Sequence, residues 1–150
     1  MLQALNKNQT LKKFSPKDKS ENNIQWIHPT ICAGTGFPSP ADDYIDHPLD
    51  WNDFLVQHPS ATFTVRVIGD SMSPQIPEGA FVIVDKSLSA KNGDIVVAVV
   101  NGEFTLKQFS KQKKEVQLVP FNTTYPTMSI KGEDDFNIWG VVTASVEKYR

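Results

Sequence analysis

Two residues of this 150-residue chain could together make a nucleophile: Ser71, in "GDSM" at residues 69–72, and Lys107, in "GEFTLK" at residues 102–107. A serine hydroxyl attacks poorly until a base removes its proton. A lysine with a pKa of about 10.4 is neutral in only about one part in 2,500 at pH 7, so it serves as that base only where burial lowers its pKa. A drop of roughly three units costs about 4 kcal/mol of charged-state stability, which desolvation can supply. Each residue also has a plainer reading. Ser71 can be a turn residue beside Gly69 and Asp70, and Lys107 can be an edge-strand lysine that blunts aggregation.

The other reactive side chains offer less. His28, His47 and His58 each precede a proline, in stretches that suit solvated surface roles better than a Ser-His-Asp set. Cys32 stands among glycines with no fixed base, and one cysteine cannot form an intramolecular disulfide. Asp42-Asp43 and Asp134-Asp135 are adjacent carboxylates of the kind that form solvated acidic patches, and no Cys/His spacing matches a zinc site. No phosphate loop, dinucleotide fingerprint or EF-hand pattern is present, so no cofactor is implied.

The elements that must position Ser71 and Lys107 are β. "ATFTVRVI", "AFVIVD", "DIVVAVV", "EFTLKQF", "EVQLVP" and "FNIWGVVTASVEKY" are β-branched or aromatic runs separated by Gly- and Asn-containing turns, which predicts six strands in a small, twisted, mostly antiparallel fold. Asn101-Gly102 suits a type I′ hairpin turn. Alternation after that turn puts Thr105, Lys107 and Phe109 on one face of the strand and Phe104 and Leu106 on the other. One short helix is expected in "PLDWNDFLVQHPS", with Asp50 as N-cap, Trp51, Phe54 and Leu55 on one face and His58-Pro59 as the stop.

Upstream, residues 1–30 read as a flexible polar arm carrying five lysines against two acidic residues, ahead of an acidic body. Residues 31–44, "ICAGTGFPSPADDY", form a linker whose glycines relax the backbone and whose prolines extend it, and residues 45–150 form the folded domain. The arm has no room for a helix-turn-helix with its own core, so sequence-specific DNA binding is not expected. The net charge of -2 does not suggest a nucleic-acid coat. No apolar run approaches the roughly 20 residues of a membrane span, and the expectation is a soluble cytoplasmic protein.

In order along residues 31–150, "CAGTGFPSPADDY", "HPSATFTVRVIGDSM", "EGAFVIVD", "NGDIVVAVVNGEFTLK" and "WGVV" closely resemble the LexA-type serine-lysine peptidases (S24). Within them the likeness is to the UmuD-like branch, the self-cleaving subunits of SOS mutagenesis polymerases. The resemblance implies a compact LexA/signal-peptidase-like β-fold, Ser71 as nucleophile and Lys107 as general base, with the Asp70 and Ser71 backbone N–H groups as oxyanion candidates. It also implies that the substrate is the protein's own N-terminal segment. By register with relatives the cut falls at Thr35-Gly36, whereas others in the family cut an Ala-Gly bond, here Ala33-Gly34. A narrow pocket favours alanine over the β-branched Thr35, so Ala33-Gly34 is preferred and Thr35-Gly36 kept.

The resemblance further implies a homodimer, cleavage promoted by the RecA–single-stranded DNA filament, and association of the shortened form with a UmuC-like Y-family polymerase subunit. Three readings compete with this one: a polymerase-binding module without proteolysis, a repressor-type member of the family, and a signal peptidase. The first has no need of both Ser71 and Lys107, the second is expected to carry a helical DNA-binding domain, and the third a membrane anchor.

Overall fold

The computed structural model describes residues 24–27, 45–113 and 115–150. The chain divides into two units, one ending at Gln57 and a larger one that runs from His58 to Arg150. In the smaller unit, strand β1 (Ile24–Ile27) pairs antiparallel with β2 (Ile45–Leu49), and helix α1 covers Trp51–Leu55. The Asp50 side chain caps α1 by accepting from the Asn52 backbone N–H at 2.8 Å, and the Trp51 and Phe54 rings meet edge to face with centroids 5.7 Å apart. The cap and the shared face are as expected, but α1 stops at Leu55, short of His58-Pro59. β1 falls within the stretch expected as an arm.

The larger unit is one seven-stranded antiparallel sheet. Its strands are β3 (Thr62–Arg66), β4 (Phe81–Asp85), β5 (Ile95–Val100), β6 (Glu103–Gln112), β7 (Glu115–Val119), β8 (Met128–Ile130) and β9 (Phe136–Val146), in the order β3-β4-β9-β5-β6-β7-β8. All six expected strands form. Among the described residues three further strands occur, β8 in this sheet and β1 and β2 in their own pair, and each lacks a legible pattern: β2 contains Pro48, β8 has three residues, and β1 has four in a polar stretch.

Apolar clusters cover both faces of the sheet. Val67, Met72, Ile76, Val82, Val84, Val97 and Leu106 pack together on one side, while Val96, Ala98, Phe109, Leu118 and Val141 pack on the other. Successive residues of β5 and β6 enter opposite clusters because side chains alternate across a strand. Two features hold the central strands in register. Asn101 (φ 50°) and Gly102 (φ 84°) both take the positive φ of a two-residue β5–β6 turn in which Val100 pairs with Glu103. β9 shifts register once against β5 and once against β4, and those irregularities bend an 11-residue strand so that it fits between the two.

Candidate active site

Ser71 follows β3 on a turn that Gly69 opens with φ 86°, a backbone angle that side chains other than hydrogen disfavour. The Gly69 N–H donates to Glu78 Oε1 at 3.2 Å, and the Ser73 N–H closes the turn onto the Asp70 carbonyl at 3.0 Å. Met72, 1% exposed, anchors the turn in the core, so its neighbour Ser71 is held in place and is itself buried.

Lys107 sits midway along β6, opposite Val96 of β5. The reading as an exposed edge lysine does not hold, because the Lys107 side chain is buried and β6 has β5 on one side and, further along, β7 on the other. Pairing to β7 begins only at Gln108, opposite Val119, so the sheet ends beside Lys107 on that flank. The side chain is 8% exposed, and burial lowers its pKa from the ordinary lysine value.

The two residues meet across 36 positions of sequence. Lys107 Nζ lies 2.8 Å from Ser71 Oγ, 2.9 Å from the Leu106 carbonyl oxygen and 3.2 Å from Thr105 Oγ1. A neutral amine has two N–H donors and one lone pair. With its donors directed at Leu106 O and Thr105 Oγ1, the lone pair is left for the Ser71 hydroxyl proton. Alternation already puts Thr105 on the Lys107 face, but nothing in the sequence assigns it a role there.

A second group of residues, unmarked by any sequence motif, braces the serine turn. In "PFNTTYP", the Asn122 backbone N–H donates to the Ser71 carbonyl at 3.0 Å and its side-chain amide to the Asp70 carbonyl at 3.2 Å. The Tyr125 hydroxyl donates to the Asp70 carboxylate, and that hydrogen bond holds the phenol pKa above its ordinary value. An Asn followed by a Tyr between two prolines was the available signal, and it reads equally well as an ordinary loop.

The remaining reactive residues lie elsewhere. His58 Nδ1 meets Asp85 Oδ2 at 2.5 Å rather than the serine. Burial raises the Asp85 pKa, but hydrogen bonds from Ser87 and His58 outweigh it and the net shift is downward. Asp134 accepts from Asn101 Nδ2 at 3.0 Å and from the Lys131 N–H at 2.7 Å, and the Asp135 N–H donates to Asn101 Oδ1 at 3.0 Å. The two aspartates thus tie the β5–β6 turn to the turn before β9. Among the described residues no group of His, Cys, Asp and Glu could hold a metal ion, and no helix is long and apolar enough to cross a membrane. His28, Cys32, Ala33-Gly34, Thr35-Gly36 and Asp42-Asp43 lie outside the described residues, and His47 is in β2.

A sequence profile described as Peptidase S24-like matches residues 25–143. The chain belongs to the S24 peptidase family. As an S24 member it falls in a serine peptidase class, and its relatives place it with the UmuD-like proteins of that family. Protein SamA of Salmonella typhimurium is 44% identical over 116 residues, covering 77% of this chain and 80% of SamA. Protein MucA of Escherichia coli is 42% identical over 113 residues, 74% of this chain and 77% of MucA. Protein ImpA of Shigella flexneri is 36% identical over 144 residues, 90% of this chain and 93% of ImpA. These S24 relatives support a part in SOS mutagenesis.

Proposed function

We propose that the chain is a self-cleaving serine peptidase in which Ser71 is the nucleophile and Lys107 the general base. The observation that carries this reading is the 2.8 Å approach of Lys107 Nζ to Ser71 Oγ, with both side chains buried. Neutral Lys107 takes the Ser71 proton as Oγ attacks the carbonyl carbon of a peptide bond in the N-terminal segment. The resulting ammonium then gives that proton to the departing amine nitrogen, which leaves an ester on Ser71. Water, deprotonated by Lys107, hydrolyses the ester and frees the serine. Backbone N–H groups of Asp70 and Ser71 are the candidates to stabilise the oxyanion. The bond is Ala33-Gly34 by side-chain size, with Thr35-Gly36 the alternative.

The shortened form then serves as the accessory subunit of an error-prone translesion polymerase. The kinship with SamA, MucA and ImpA supports this role. The same kinship supports the further parts of the proposal: a homodimer in the cytoplasm, cleavage stimulated by the RecA–single-stranded DNA filament, and a UmuC-like catalytic partner. Residues 1–30 act as the removable arm, 31–44 as the cleavage segment and 45–150 as the peptidase domain.

The test follows from the lowered Lys107 pKa. Because only the neutral amine accepts the serine proton, self-cleavage speeds up as pH rises through the folded-state pKa of Lys107 and levels off above it, in a range below that of free lysine. The purified chain is incubated across pH beside Ser71→Ala and Lys107→Ala, and new termini are mapped by mass spectrometry. The expected result is a terminus at Gly34 or Gly36 in the parent and none in either variant. Equal cleavage in all three would sink the dyad.

A further inference from the structure

Asn122 grips the two peptide groups that flank the nucleophile. Its side-chain amide donates to the Asp70 carbonyl at 3.2 Å, alongside the Ser73 N–H at 3.0 Å, and its backbone N–H donates to the Ser71 carbonyl at 3.0 Å. A trans peptide is planar, with its N–H directed opposite its C=O. Fixing the Asp70 carbonyl therefore aims the Ser71 N–H, and fixing the Ser71 carbonyl aims the Met72 N–H. Among the described residues no acceptor meets either N–H, and Ser71 is 6% exposed. Of the two, the N–H of the nucleophile itself, aimed and unused, is what a developing oxyanion needs.

The Asn122 amide is itself held in one orientation. Its Oδ1 accepts from the Thr124 N–H at 3.1 Å and from Thr124 Oγ1 at 2.8 Å. With the oxygen so occupied, the NH2 group must face Asp70, where it also lies 3.5 Å from the carboxylate Oδ2. The Tyr125 hydroxyl bonds the other oxygen of that carboxylate, and the Tyr125 N–H returns to the Asn122 carbonyl at 3.1 Å. The whole brace leans on the turn from the side of residues 122–125, and Lys107 contacts none of it.

We infer that Asn122 is a positioning residue that aims the backbone N–H of Ser71 as an oxyanion donor, working through the Asp70 carbonyl and independently of the base. This rests on reading Ser71 and Lys107 as nucleophile and base, and it adds a residue that touches neither the substrate nor the lysine. It separates two parts of the reaction. Lys107 governs where on the pH axis cleavage switches on, whereas Asn122 governs how fast cleavage runs once it is on.

The full-length chain is followed by mass spectrometry as a first-order self-cleavage from neutral to alkaline pH, together with Asn122→Ala, Asn122→Asp, Thr124→Val, Ser71→Ala and Lys107→Ala. Asn122→Asp keeps the size and the oxygen facing Thr124 but loses the donor to Asp70. For both Asn122 variants the plateau rate should fall on the order of 10- to 100-fold; the pH midpoint of Asn122→Ala should stay within about 0.3 unit, while the new carboxylate of Asn122→Asp favours the Lys107 ammonium and moves that variant's midpoint upward. Thr124→Val, which removes one of the two anchors of the amide oxygen, should lower the plateau by roughly three- to tenfold at the same midpoint. Circular dichroism identifies the variants that stay folded. If both Asn122 variants unfold, Thr124→Val decides.

A plateau within about threefold of the parent for the folded Asn122 variants overturns the inference, as does a loss in Asn122→Ala that comes with a displaced midpoint. Parental cleavage by Thr124→Val overturns it when that variant decides. The controls separate this failure from that of the dyad. If Ser71→Ala and Lys107→Ala are inert while the Asn122 variants cleave normally, the brace alone is wrong; if those two still cleave, the dyad is wrong.

Discussion

Lys107 Nζ has three hydrogen-bond partners, and their chemistry differs. The Leu106 carbonyl only accepts, while the Thr105 and Ser71 hydroxyls both accept and donate. As an ammonium, Lys107 therefore donates to all three; as an amine, it keeps two donors and presents its lone pair to Ser71. Burial raises the cost of the charged form, and the three oxygens limit that cost. Thr105→Val removes one acceptor from the ammonium, and hydrogen bonds to charged groups are worth about 1.5–3 kcal/mol. The neutral form loses a weaker bond, so the midpoint of the cleavage profile should move to lower pH by about one unit, since one unit corresponds to about 1.36 kcal/mol. The plateau should drop about tenfold, because the amine is less well oriented. The same rate-against-pH measurement reads both changes, and an unmoved midpoint would remove Thr105 from the lysine's environment.

At the scale of elements, the site depends on β5, β6 and β9 keeping register. The Asn101-Gly102 hairpin was legible because two positive φ angles in succession call for those residue types. The alternation along β6 was legible too, and Leu106 and Phe109 enter opposite clusters as it requires. The register shifts of β9 were not, since a bulge depends on what lies across the strand. Gly140 shows this dependence. A Cβ placed there would stand 2.6 Å from Val84 Cγ1 and 3.2 Å from the Asp85 carbonyl oxygen, so β9 approaches β4 more closely than a side chain allows. Gly140→Ala should destabilise the sheet by about 1–3 kcal/mol, as overpacking does. Urea unfolding monitored by tryptophan fluorescence checks this, and an unchanged midpoint would show that β4 yields without cost.

At the scale of the whole molecule, cleavage at Ala33-Gly34 would take residues 1–33 away from a body that holds both Ser71 and Lys107. The positive balance of residues 1–30 leaves with the cut segment and the acidic remainder stays. If the shortened form is the working one, proteolysis is needed once and the dyad has no later part. In cells lacking the parental protein, full-length Ser71→Ala should therefore abolish damage-induced mutagenesis, and a chain that starts at Gly34 with the same substitution should restore it to the parental level. Counting drug-resistant mutants after ultraviolet irradiation reads both arms. Failure of the short chain to restore mutagenesis would show that Ser71 acts beyond the cut.

From the residues alone came the β-rich class, the six main strands, the capped helix at Trp51, and a serine and a lysine worth pairing. All of these depend on local properties: side-chain branching, the period of two along a strand, the φ that a turn demands. The approach of Lys107 to Ser71 depends on a sheet closing over 36 residues, which no local pattern encodes. The same holds for the burial of Lys107, which pairing along β6 alone does not provide, and for Asn122, whose proposed role arises only because the loop after β7 folds back onto the serine turn. Hydrogen bonding acts over about 3 Å, so residues distant in sequence acquire a shared chemistry only when tertiary packing brings them within that reach.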